Sequence, residues 1–482
     1  MTLFQILIFG VFALATGILP WAQGRRWVLM AGSVLAIYWL QPSMPIRYLD
    51  FWLPTLALAL TVWVWTLAPH PGPLPAGEGG GDKSPKWGKI EGVTWGILVG
   101  IVLVVAGLRY WEPVCCLTPT RPPKIEMVAI AIGGAALIGG GLWRGRKVAW
   151  VGTGVSVVLL GGLIVLKTPA LAEAVSAGLR MLSGQQANLA TAFDVRWLGF
   201  SYLAFRLVHV LRDHAAGRLP ALALDEFVLY VLFFPAYTAG PIDRVQRFVG
   251  DLRKPFEVRA VLLPAGVRIA VGVLKKFALA DGLALIALSD ANAGQIHAAG
   301  WAWVVLYAYA WRIYFDFSGY TDIALGLGML AGVKLPENFD APYWKPNLTV
   351  FWNSWHMTLA QWFRAYYFNP LTRALRGRRW AIPAVIFLTQ VTTMMLIGLW
   401  HGVTWNFLIW GAWHGVGLFV HNRWSETFRA RYAAWEGMPR MKAALTGVGT
   451  VLMFHFVTLG WVWFALGQPA SAWAFFKVLV GG

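Results

Sequence analysis

Apolar runs of bilayer-spanning length recur along the whole chain, and no other feature limits its possible folds so sharply. A helix crossing a hydrocarbon core of about 30 Å needs about 20 residues at 1.5 Å each. Runs near that length occupy residues 3–19, 27–40, 51–67, 93–108, 127–142, 148–166, 197–210, 227–239, 261–280, 301–330, 382–399, 407–420 and 445–466. The shorter ones suit tilted, broken or re-entrant helices, which a membrane tolerates where protein or a water-filled cavity surrounds them. The expected fold is an all-α polytopic integral membrane protein with roughly eleven to thirteen transmembrane or re-entrant helices.

Composition points the same way. Only 13% of the residues are charged and 58% are hydrophobic, whereas a soluble domain carries roughly 25% charged residues. The net charge of +18 does not indicate nucleic acid, because Lys and Arg fall in short clusters between apolar runs, the pattern of positive-inside topology. Disorder, collagen-like repeats and a disulfide scaffold do not fit an apolar, aperiodic chain with two cysteines. Those two, Cys115 and Cys116, are sequence neighbours, where a bridge is strained, so free thiols are expected. Many of the 29 tryptophans are expected to anchor helices at the membrane interface, since indole joins an apolar body to one N–H donor.

The first run has no basic segment ahead of it and is followed by Arg25 and Arg26. It therefore reads as a retained span, with those arginines inside and the amino terminus outside. The clusters Arg144, Arg146, Lys147, then Arg373, Arg376, Arg378, Arg379, and then Arg423, Arg429, Arg431, Arg440, Lys442 are assigned to the same cytoplasmic side. Residues 69–85 are too rich in Pro and Gly to hold a helix, and a loop is expected over 69–91. A second breaker-rich connection covers 118–124. The expected organisation is an amino-terminal set of transmembrane helices over 1–190 and a second region over 191–482, with no sustained internal repeat.

An ionisable side chain inside a membrane costs roughly 2.5 to 3.5 kcal/mol on insertion scales, so clusters of polar groups in apolar surroundings mark candidate sites. Residues 314–328, YFDFSGYTDIALGLG, hold Asp316 and Asp322. Arg312 lies one turn before Asp316, so either a local ion pair neutralises both or the carboxylates shape a polar pocket. Residues 351–371, FWNSWHMTLAQWFRAYYFNPL, place Asn353 and His356 three apart, neighbours on a helix. A re-entrant helix lining a reaction chamber and an interfacial amphipathic helix both fit this stretch. Residues 396–418 hold His401 and His414, each in a Trp-His-Gly sequence. Thirteen steps of 100° would leave the two rings about 220° apart on a continuous helix. No H-x3-H, HExxH or cysteine pattern accompanies them, and no metal ligands are expected.

The stretches LFFPAYTAGPIDRVQRF (232–248), YFDFSGYTDIALGLGML, LPENFDAPYWKPNLTVFWNSWHMTLAQWFRAYYFNPL and GLWHGVTWNFLIWGAWHG resemble, in that order, the membrane-bound O-acyltransferase (MBOAT) family, in its bacterial AlgI/DltB-like branch. The resemblance covers roughly 196–420. It implies the MBOAT fold around a central tunnel, with 191–482 as the catalytic core. A cytoplasmic thioester donor would enter from one side and a hydroxyl acceptor from the other. By motif position the family's active-site histidine corresponds to His401 and its second histidine to His356. Related proteins commonly carry two basic residues where Asn353 and Ser354 stand, and an acidic residue where Ala365 stands.

Acyl transfer from a thioester to an alcohol needs a base for the hydroxyl proton, donors for the developing oxyanion and a site that excludes water. His401 is expected as that base, and His356, with Asn353 beside it, as the group that polarises the thioester carbonyl or orients the acceptor. Substrate contacts are expected from Asn353, Trp352, Trp355, Arg364, Trp400 and Asp316. No Ser or Cys nucleophile sits beside either histidine in a known motif, so no covalent acyl-enzyme is expected. The expected co-substrate is acetyl-CoA or an acyl carrier protein on the cytoplasmic side, with no bound cofactor. The remaining expected partners are membrane lipids and a cell-envelope or secreted glycan, reached directly or through an extracytoplasmic partner enzyme. The expected location is the bacterial cytoplasmic (inner) membrane. A transporter or flippase of an envelope precursor, and a scaffold for soluble envelope enzymes, are the other classes the polar groups allow.

Overall fold

The computed structural model describes residues 1–19, 22–68, 87–111, 116–146 and 149–482. Described residues form helices joined by turns and loops, apart from one isolated bridge between Phe339 and Trp355. Six described helices are long and apolar enough to cross a membrane: Leu49–Leu67, Glu91–Tyr110, Ile125–Gly145, Trp150–Lys167, Ile382–His401 and Pro439–Ala465. The remaining apolar runs form shorter or more polar helices, such as Leu3–Gly17, Phe200–Ala215 and Trp405–Thr427. Helix Ile125–Gly145 leaves Ile130 76% and Leu137 80% exposed, as a helix does when lipid is its solvent. The Pro/Gly-rich segment 69–85 and Lys147 lie outside the described residues, while residues 87–91, expected in the loop, are helical. The chain divides into two compact units, Met1–Ile269 with Ala324–Leu335, and Ala270–Ile323 with Pro336–Gly482.

In the first unit, buried charges tie helices together. The run 227–239 is not one helix. Helix Leu224–Leu232, buried along its whole length, stops before Pro235, whose ring blocks a continuing helix and frees carbonyls upstream. The buried Arg206 guanidinium takes up one such carbonyl, donating to Val231 O at 2.8 Å, and also donates to Ala236 O at 2.7 Å, just past the proline. Glu226 accepts from both Arg26 and Arg253 at 2.6 Å, and Asp225 faces Arg26 at 3.3 Å. Asp50 accepts from Thr120 N and Oγ1, each at 2.7 Å, which fastens the breaker-rich connection 118–124. Asp194 gathers Ser176, Arg180 and Thr191 within 3.1 Å. Cys116 is disulfide-bonded, which corrects the expected free thiol. Cys115 lies outside the described residues.

In the second unit, glycines let backbones meet. Helices Ile382–His401 and Trp405–Thr427 form a hairpin whose contacts pair Gly398 with Phe407, Gly411 with Met394 and Gly415 with Val391. A Cβ at these glycines would come within 2.1 to 2.7 Å of the facing backbone. The pairing runs antiparallel, and small residues at such crossings bring helices together where no hydrophobic drive exists. Gly272 and Gly319 make a similar approach. Directly after Gly272 and Val273, the π-helical segment Leu274–Ala280 offers Lys275 to Asp322 at 2.7 Å and Lys276 to Asp316. The cations that neutralise Asp316 and Asp322 thus come from this segment rather than from Arg312.

Candidate active site

The stretch around His356 is a broken helix. Asn347 caps Leu348–Trp352 by accepting from Val350 N at 3.0 Å, and the helix ends at Asn353. The next helix, Met357–Phe363, has His356 at its N-cap in the left-handed region, φ 41° and ψ 53°. Such a backbone is uncommon outside glycine, although Asn, Asp and His reach it more readily than most. Residues 338–340 hold the break in place. Asn338 O accepts from Met357 N at 3.0 Å, Asn338 Oδ1 accepts from Thr358 Oγ1 at 2.6 Å, and Ser354 O accepts from Asp340 N at 3.0 Å. The expected helical neighbourhood of Asn353 and His356 is therefore absent. Asn353 Oδ1 instead accepts from Arg364 Nη2 at 2.5 Å.

His401 is the last residue of Ile382–His401, and Gly402 ends the helix. A Cβ at 402 would stand 2.8 Å from the Phe407 ring, so glycine is what lets the chain turn back against that ring. The turn also invalidates the helical-wheel comparison of His401 with His414, since the two lie on separate helices. Both nevertheless meet Trp410, with ring centroids 5.7 and 5.0 Å away.

His356 and His401 line one cavity of about 40 Å³. Trp352 and Trp355 share the wall with His356. Trp410 stands beside His401, Phe317 comes from helix Ala299–Leu330, and Trp461 and Phe464 come from Pro439–Ala465. His356 is 4% exposed, and its Nε2 has no hydrogen-bond partner. Its ring packs edge-on to Phe317 at 4.6 Å, and the His401 ring packs against Phe464 at 4.8 Å. Trp400 touches both imidazoles, at 5.9 Å from His356 and 4.6 Å from His401.

Of the residues singled out from sequence, His356, His401, Trp352 and Trp355 converge on the cavity, with Trp400 packed against both histidines. Asn353 and Arg364 bond to each other, and Asp316, half exposed, is ion-paired to Lys276; none of the three lines the cavity. Sequence reading missed Phe317, Trp410, Trp461 and Phe464. An aromatic side chain in an apolar run carries no mark of whether it faces lipid or a site. The Trp-rich stretches on either side of His414 were the only hint. Among the described residues, no group of three or more His, Cys, Asp or Glu is placed to hold a metal ion.

A polytopic helical membrane protein with two histidines at a small aromatic chamber is the class that fold and site define together. The chain belongs to the MBOAT, membrane-bound O-acyltransferase family, whose sequence pattern matches residues 156–458. It is 36% identical over 249 residues to a teichoic acid D-alanyltransferase of Streptococcus thermophilus, covering 48% of this chain and 58% of that protein. It is 33% identical over 288 residues to a probable alginate O-acetylase AlgI of Azotobacter vinelandii, covering 58% and 53%. To a peptidoglycan O-acetyltransferase of Helicobacter pylori it is 32% identical over 260 residues, covering 53% and 46%. The matched part of the chain thus spans about half the length of these relatives.

Proposed function

We propose that this protein is an O-acyltransferase of the bacterial cytoplasmic membrane that moves a small acyl group, acetyl or D-alanyl in type, from a cytoplasmic thioester to a hydroxyl of a cell-envelope or secreted glycan. One observation carries this reading: two histidines from separate segments share a buried chamber walled by aromatic rings. The names of the relatives, which pair acetyl and D-alanyl groups with alginate, teichoic acid and peptidoglycan, support the acyl type and the class of acceptor. A volume of about 40 Å³ has room for roughly one to three water-sized groups. That suits a carbonyl meeting a hydroxyl and argues against passage of an envelope precursor.

In this mechanism His401 takes the proton as the acceptor oxygen attacks the thioester carbonyl carbon, and the carbonyl π pair moves onto oxygen. His356, which lines the same cavity, polarises that carbonyl. When the tetrahedral intermediate collapses, the C=O bond re-forms and the C–S bond breaks. The departing thiolate then takes the proton from His401, which returns the imidazole to its starting form. The aromatic wall excludes water that would otherwise compete for the acyl group. Donors of either kind are anionic, CoA through its phosphates and carrier proteins through acidic surfaces, and the basic clusters that include Arg373, Arg376 and Arg423 would draw them in. The acceptor approaches from the outer side, directly or on a partner enzyme.

The test uses the full chain in vesicles with a labelled thioester donor and candidate glycans, read by mass spectrometry. Wild-type protein yields a donor-dependent acylated glycan, and His401→Ala abolishes it while remaining monodisperse. Transfer by His401→Ala near the wild-type rate would remove His401 from the mechanism, and glycan flux without any donor would favour a transporter.

A further inference from the structure

We infer that the indole N–H groups of Trp352 and Trp410 are the donors that hold the oxyanion of the acyl-transfer intermediate. The inference rests on the acyltransferase reading above and names the residues that perform its most demanding electrostatic task.

Both side chains line the cavity that holds His356 and His401. Trp352 is 8% exposed and Trp410 1%, and the Nε1 of each is buried with no hydrogen-bond partner. A buried donor without an acceptor forfeits its hydration and gains nothing in return. Several neighbouring indoles in the same unit avoid that loss, although the Nε1 of Trp463, which does not line the cavity, also lacks a partner. Trp461, on the same cavity wall, donates to Tyr343 Oη at 3.1 Å, Trp413 to Phe456 O at 3.1 Å, and Trp303 to Leu479 O at 3.2 Å. Two unsatisfied donors at one chamber therefore point to an acceptor that arrives with the substrate.

Their placement suits the intermediate. The Trp352 and Trp410 rings pack edge to face with centroids 5.7 Å apart, and Trp410 meets His401 in the same manner at 5.7 Å. The imidazole that accepts the proton and both indole rings thus border one small space. As the acceptor oxygen bonds to the carbonyl carbon and its proton passes to His401, the carbonyl oxygen gains the negative charge that two preoriented N–H groups stabilise. When the C–S bond breaks, that charge returns to the carbonyl bond and the donors are released. Such donors stabilise best in a site that excludes water and needs no reorganisation.

The experiment replaces Trp352 or Trp410 with 3-benzothienylalanine, which keeps the ring's shape and puts sulfur where the N–H was. Trp352→Phe and Trp410→Phe serve as genetic counterparts. The isostere is expected to lower kcat by about 10²–10³-fold at either position with KM unchanged, as loss of one oxyanion donor does. In 15N-indole spectra of the wild-type protein, the Trp352 and Trp410 N–H resonances should move downfield when a phosphonate mimic of the tetrahedral intermediate binds. An isostere with wild-type kcat, or N–H resonances indifferent to the phosphonate, would overturn the inference. Failure of the underlying reading is a separate result, in which the wild-type protein itself acylates no glycan.

Discussion

A methyl group on Gly398 would stand 2.1 Å from the carbonyl oxygen of Phe407, which makes this the tightest crossing in the helix hairpin that carries His401. Gly398→Ala has to push the two helices apart, and overpacking of this kind costs about 1–3 kcal/mol. The expected result is a lower melting temperature in detergent and a loss of acyl transfer larger than the loss of folded protein, because His401 sits three residues beyond the crossing. Gly178→Ala, on a helix where an added Cβ meets nothing within 4 Å, should change neither quantity.

His356 combines a left-handed backbone with a side chain in the cavity wall, so its substitutions should separate folding from chemistry. His356→Asn tolerates the backbone and is expected to keep the protein monodisperse while lowering kcat with little change in KM. His356→Val, with a β-branched side chain unsuited to positive φ, should lower folded yield as well. Steady-state kinetics on size-selected protein checks both, and a pure KM effect in His356→Asn would assign the residue to binding.

The Lys275–Asp322 ion pair, at 2.7 Å with side-chain exposures of 25% and 7%, should behave as a largely buried one. Lys275→Met deprives Asp322 of that ammonium, and removing one partner of a buried pair costs up to about 3–5 kcal/mol. Replacing both with apolar side chains should cost less than either single change. Thermal unfolding of the two single variants and the double variant gives the coupling. Additive losses would mean that the pair contributes nothing beyond its separate members.

Asp194 supplies a pH test outside the spans. Burial raises the pKa of its carboxyl, but hydrogen bonds from Thr191, Ser176 and Arg180 outweigh this and bring it down to about 2 from an ordinary 3.8. A carboxylate with a depressed folded pKa adds stability that is fully present above its unfolded pKa. That stability fades as pH falls towards the folded value. The wild-type melting temperature is therefore expected to decline from about pH 4 towards pH 2 more steeply than that of Asp194→Asn. Parallel curves would show that Asp194 makes no contribution to acid lability.

The spans were legible because length and apolarity alone decide whether a segment can cross lipid, and helices such as Ile382–His401 need no partner to declare themselves. Breaks were legible only by half. Pro235 announces the end of a helix, whereas Arg206, 25 and 30 residues away from the carbonyls it satisfies, does not. His356 and His401 could be singled out because imidazole is conspicuous among apolar residues. Their meeting depends on Asn338 fixing a left-handed turn and on three glycines closing a hairpin, neither of which periodicity reports. Arg312, one turn away, is the partner that local spacing offers Asp316, but a π-helical segment brings in Lys276 from 40 residues back. The compact units are also discontinuous, with Ala324–Leu335 grouped with the first, and no shift in composition marks that return.

A chamber of about 40 Å³ is also a gauge. Its indole and phenyl walls are packed against neighbours, Trp410 against Trp461 with ring centroids 5.9 Å apart and Phe464 against His401 at 4.8 Å. Under the acyltransferase reading proposed above, donors would be sorted by girth before any bond is made, with Phe317 and Phe464, which offer no polar atom, setting the limit.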